Sequence, residues 1–137
     1  MHAQRIAISL VEKGWGGARR LSIRLSRQGV RVRHLVKGRL PAEVVAIIPP
    51  YPGMTIRGVP RSWFKLAAWV ELWGAMARGG AELVMVDHER AARWVARWAP
   101  PLRDKVVVVQ EAADGSPRIM WQGASVDPVA FFADGAG

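Results

Sequence analysis

Residues 5–29 read RIAISLVEKGWGGARRLSIRLSRQG, and this stretch decides the fold class. Arg5 to Val11 is a short apolar run of the kind that forms a strand buried on both faces of a parallel sheet. The pattern breaks from Glu12 to Gly17, with glycines at 14, 16 and 17. From Ala18 the apolar residues Ala18, Leu21 and Leu25 fall at helical spacing, with Arg20, Arg24 and Arg27 on another face, and Gly29 is a natural stop. Strand, glycine-rich turn, helix is the opening of a Rossmann-like α/β domain.

Downstream the same alternation continues. Val30 to Val36 alternates apolar residues with Arg31, Arg33 and Leu35, which predicts a half-exposed strand near a sheet edge. Glu43 to Ile48 reads as a buried strand halted by Pro49 and Pro50. Residues 49–60, rich in proline and glycine, read as an irregular loop of functional length. Arg61 to Ala77 is a helix with Ser62 as its cap, ended by Gly79 and Gly80. Ala81 to Asp87 is a strand, His88 to Ala99 a helix stopped by Pro100 and Pro101, and Lys105 to Gln110 a central strand with four consecutive valines. Arg118 to Gln122 is a short last strand, and Val129 to Phe132 starts a terminal helix. The expectation is a single α/β domain over residues 3–132 with a mostly parallel sheet, helices on both faces, and a flexible tail over 133–137. The direct step from the second strand to the third implies either a short crossover near residues 37–42 or an antiparallel pair.

Composition narrows the function classes. The 137 residues are 50% hydrophobic and 23% charged, enough for one core. There is no cysteine, which excludes disulfides, thiolate metal sites and thiol catalysis. No apolar run is long enough for a membrane span, and the leader lacks the pattern of a signal peptide, so a cytoplasmic protein is expected. The formal charge of +9 comes from 20 basic and 11 acidic residues. Such a field favours phosphate-bearing small molecules, nucleic acid or an anionic surface such as the inner membrane face.

Four groups of residues carry possible chemistry. The turn at Gly14, Gly16 and Gly17 allows close backbone approach, and the helix start beyond it can bind an anion. It matches neither the dinucleotide fingerprint nor the P-loop, and a tight structural turn explains it equally simply. Arg19, Arg20, Arg24 and Arg27 belong to a basic stretch that fits a phosphate backbone, an anionic lipid surface, or plain solvation. The helix with Trp63, Phe64, Trp69 and Trp73 reads mainly as core, with some rings left to rim a cleft, meet a membrane interface or pack a partner subunit. Asp87, His88 and Glu89 stand at the end of a strand, where an acid–base pair would work, although Asp87 is also an ordinary N-cap. Three scattered histidines without cysteine make no metal site, and no serine stands in a nucleophile elbow.

Taken together, GGARRLSIRLSRQG, VRVRHLV, AELVMVDHERAARWV (residues 81–95) and the closing KVVVVQEAADG with GASVDPVAFFADG resemble the N-terminal, acceptor-side domain of GT-B glycosyltransferases. The resemblance implies that Gly16 and Gly17 face a donor diphosphate and that His88 lies at the catalytic edge. The basic pair and paired glutamates of the donor domain are not in these residues, so the resemblance implies a detached acceptor-type half, a truncated piece of a longer protein, or a subunit that needs a second polypeptide for catalysis. The resulting expectation is a glycosyltransferase-related half domain that binds a nucleotide sugar or a lipid-phosphate acceptor, needs no other cofactor, and works with a donor-domain chain or as a homo-oligomer. The alternatives are a non-enzymatic basic module for nucleic acid, anionic membrane or a protein partner, and a small independent nucleotide-binding enzyme.

Overall fold

The structure, a computed structural model, describes residues 5–12, 18–38, 54–111, 117–121 and 124–126. Its strands are β1 (Ile6–Val11), β2 (Arg31–Lys37), β3 (Met54–Val59), β4 (Leu83–Val86), β5 (Val106–Glu111), β6 (Pro117–Trp121) and β7 (Ala124–Val126). The helices are α1 (Ala18–Arg27), α2 (Phe64–Ala77) and α3 (Glu89–Trp98), with 3₁₀ turns at Arg61–Trp63 and Pro100–Lys105. The strands form one seven-stranded sheet in the order β3-β2-β1-β4-β5-β6-β7. Pairs from β3 through β5 are parallel, β6 adds antiparallel to β5, and β7 adds antiparallel to β6. This is the expected Rossmann-like α/β fold.

Each face of the sheet carries its own core. Odd residues of β1 face α1, where Ala7, Val32, Met54, Met85 and Val107 pack against Leu21 and Leu25. Even residues face α2 and α3, where Ile8, Leu10, Val84, Val86 and Val108 meet Phe64, Leu72 and Val95. Because β1 is buried along its whole length, it reads as an unbroken apolar run.

Helix ends follow the glycines. Gly29 has φ 84°, and Val30 and Gly29 donate to the carbonyls of Leu25 and Ser26 at 3.0 and 3.1 Å. That is a Schellman closure, completed by burial of both Leu25 and Val30 in one cluster. Gly79 at φ 110° ends α2 the same way, with Gly80 donating to Ala75 at 2.8 Å.

Several sequence expectations are corrected. Residues 54–59 are not loop but the edge strand β3, parallel to β2. Arg57 and Gly58 are exposed there, which weakens the apolar signal a strand normally gives. β2 is therefore an interior strand, and its arginine face is not simply solvated. Arg33 forks onto Glu71 of α2 with two bonds of 3.0 Å, and Arg57 adds a contact at 3.4 Å. β2 and β3 are parallel, while the step expected from the second strand to residues 43–48 lies outside the described residues. The strand expected over 43–48, the rest of the 49–60 loop before residue 54, and the terminal helix from Val129 lie outside the described residues. Ser62 does not cap α2. It sits inside the 3₁₀ turn, and the N-cap position is Trp63, without a side-chain bond.

The tryptophan helix differs most from its sequence reading. Its buried stripe is Phe64, Ala68, Leu72 and Ala75, and Glu71 is buried beside it. Trp63, Leu66, Trp69, Val70 and Trp73 are instead 45–59% exposed. The Trp69 and Trp73 rings do meet, with centroids 6.2 Å apart. A helix apolar on nearly every side cannot turn all of them inward when one face already fills the space against the sheet.

Two measurements test this packing. Urea unfolding of Leu72→Ala is expected to show a loss of about 3 kcal/mol, against a change within about 0.5 kcal/mol for Trp69→Ser. His34, buried on the α1 face, has its pKa lowered by desolvation from 6.5 to about 3. Between those values the unfolded chain binds the proton and the folded chain does not, so stability falls as pH drops from about 6.5 towards 3. The His34 contribution is at most about 1.4 kcal/mol per pH unit, and His34→Leu is expected to flatten the pH dependence in that window.

Candidate functional site

The strand order reverses at β1. From β1 the chain moves outward through β2 to β3, then returns to β4 on the other side of β1. α1 packs on one face and α3 on the other, so the helices that follow β1 and β4 lie on opposite sides of the sheet, the arrangement that makes a crevice at the carboxyl ends of the two strands. Ligands of open α/β sheets bind at such switch points.

Three side chains meet there, with a fourth beside them. Glu12 directly follows β1, Asp87 and His88 directly follow β4, and Lys37 ends β2. The Asp87 carboxylate accepts from the Glu12 backbone amide at 3.0 Å, tying the two strand ends together. Glu12 Oε2 lies 3.4 Å from His88 Nε2 and 3.6 Å from Lys37 Nζ. His88 Nε2 is also 3.8 Å from Asp87 Oδ1. The Glu12 and Asp87 side chains are each 9% exposed, and Glu12 Oε1 has no hydrogen bond to a described residue. A buried carboxylate oxygen without a donor is costly unless something supplies one.

His88, not Asp87, is the N-cap of α3. Its Nδ1 accepts from the Ala91 amide at 3.1 Å, which corrects the capping role read for Asp87. The bond also fixes the tautomer: with the Nδ1 lone pair engaged, the neutral ring carries its proton on Nε2, which lies 3.4 Å from Glu12 Oε2 without forming a hydrogen bond to a described residue. His88 is therefore placed as a donor, and any proton-accepting role at this edge falls to the carboxylates. Two carboxylates, an imidazole N–H and an ammonium are suited to gripping vicinal hydroxyls of a sugar or ribose.

The structure thus brings Asp87 and His88 together and adds Glu12 and Lys37, which sequence reading did not single out. The sign was present: an acidic residue immediately follows the first strand, but only the strand order puts it beside residue 87. Gly14, Gly16 and Gly17 lie outside the described residues, as do the side chains of Arg19 and Arg20. Arg24 and Arg27 are on α1, on the face of the sheet away from α3, with Arg27 exposed and Arg24 partly buried. A hollow of about 280 Å³ lies beside the crevice, floored by Val106, Val108 and Met120, with Glu89, Arg93 and Arg103 also lining it. Among the described residues no group of three side chains is placed to ligate a metal ion. No described helix is long and apolar enough to cross a membrane.

The class that fold and site define is a Rossmann-like α/β domain with a polar edge at its switch point. No family model matches this chain, and no curated protein matches it either.

The cap can be separated from the exposed edge of the ring. His88→Asn retains an acceptor at the cap position and is expected to leave stability within about 0.5 kcal/mol, whereas His88→Val should lose about 1 kcal/mol in urea unfolding.

Proposed function

We propose that this chain is the acceptor-side half of a GT-B type glycosyltransferase, binding a phosphate-bearing ligand in the crevice between β1 and β4. The observation that carries the reading is the Glu12–Asp87–His88 cluster at the switch point, with a buried carboxylate oxygen that takes no hydrogen bond from a described residue. The strand order and the helices on both faces agree with it, as does the sequence resemblance described above.

In this reading Glu12 and Asp87 accept from ligand hydroxyls, while His88 and Lys37 flank the Glu12 carboxylate and keep it in place. The glycine turn at Gly14, Gly16 and Gly17 takes the phosphate-bearing end. The acceptor hydroxyl would form its bond to the anomeric carbon as the bond to the leaving nucleoside diphosphate breaks. Its proton passes to a carboxylate of the cluster. The diphosphate is gripped by a second, donor-binding domain, and the acceptor-side half by itself binds ligand without turning it over.

Calorimetric titration with UDP- and GDP-sugars and with a short-chain lipid phosphate tests the proposal. At least one should bind at millimolar concentration or tighter, with affinity reduced tenfold or more in Glu12→Gln and in His88→Asn. No heat from any of them at millimolar ligand, or equal affinity in both variants, overturns it.

A further inference from the structure

We infer that the outer surface of α2 and α3 docks this protein on an anionic phospholipid bilayer, as a surface contact separate from the crevice. Trp63, Leu66 and Trp69 follow at three-residue steps, Val70 and Trp73 lie four residues beyond Leu66 and Trp69, and all five are exposed. They make one apolar stripe along the solvent side of a 14-residue helix. At about 1.5 Å per residue that helix is roughly 20 Å long, a length that lies along a bilayer surface and does not span it.

Beside the stripe runs a groove of about 430 Å³ lined by Lys65, Arg90, Arg93, Trp94 and Arg97. Its four cations form no ion pair with a described residue. No acidic side chain lines the groove, and Glu71, the only acid of α2, is turned inward to Arg33 and Arg57. Lys65 belongs to the groove and stands one helical turn before Trp69, so the rings and the charges are one continuous surface.

That combination fits a membrane interface. Indole rings settle at the headgroup level with their apolar bodies inward, and the cations are drawn to anionic headgroups around them. A second copy of the chain fits poorly, because a self-complementary contact would set these cations against their own images with no acid to answer them. Nucleic acid would satisfy the cations but leave Leu66 and Val70 uncovered.

Co-sedimentation of the full chain with phosphatidylcholine vesicles, with and without phosphatidylglycerol, tests the inference, with tryptophan emission as a second readout. Binding should require the anionic lipid, weaken as salt rises, and blue-shift the emission. Both Trp69→Ser/Trp73→Ser and Arg93→Glu/Arg97→Glu should cut partitioning tenfold or more while circular dichroism stays that of the parent. Lys65→Glu, a single exposed change, should act in the same direction. The inference is overturned by absent binding or by undiminished binding in both double variants. It is equally overturned if the parent is a dimer that Trp69→Ser/Trp73→Ser dissociates and that ignores vesicles, or if it binds duplex nucleic acid and not vesicles. None of these readouts depends on nucleotide-sugar binding, so failure here and failure at the crevice are distinguishable.

Discussion

Parallel pairing governs this molecule. Because β3, β2, β1, β4 and β5 all run the same way, each connection between them must cross a face of the sheet. Both faces then need a helical cover, and every strand must offer apolar side chains in both directions. β1 meets that demand with six buried residues in succession, and β4 with four. The same constraint collects the carboxyl ends of five strands on one edge, so polar side chains that follow the strands gather there without further contrivance.

The crevice is the consequence of where the winding reverses. Glu12 and Asp87 are 75 positions apart in sequence yet share a hydrogen bond, because β1 and β4 are direct neighbours. His88 serves two ends at once. Its Nδ1 closes the first turn of α3, and this leaves Nε2 on the side of the Glu12 carboxylate, 3.4 Å from Oε2. One local bond, a helix cap, thus orients the imidazole beside Glu12 and Asp87.

Helix α2 shows how the two faces of one element acquire different duties. Phe64, Ala68, Leu72 and Ala75 spend their burial on the sheet, and small residues at two of these positions let the helix lie close. Glu71 is the one carboxylate buried in that interface, and it is tolerated because Arg33 of β2 and Arg57 of β3 answer it. With the inner face closed, the bulky residues between those positions have nowhere to go but outward, next to the cations of α3.

The sequence by itself determined what depends on near neighbours. The apolar run of β1, the valines of β5, and the glycine closures of α1 and α2 are set by propensity, periodicity and backbone conformation within a few residues. Four matters were decided only by tertiary structure: that residues 54–59 pair as an edge strand, that Arg33 and Arg57 bind Glu71, that the α2 tryptophans face outward, and that Glu12 and Lys37 join Asp87 and His88. Each depends on which strand lies beside which and on how much room one helix face leaves. Strand order is a property of the whole chain's winding, and a local pattern carries no record of it.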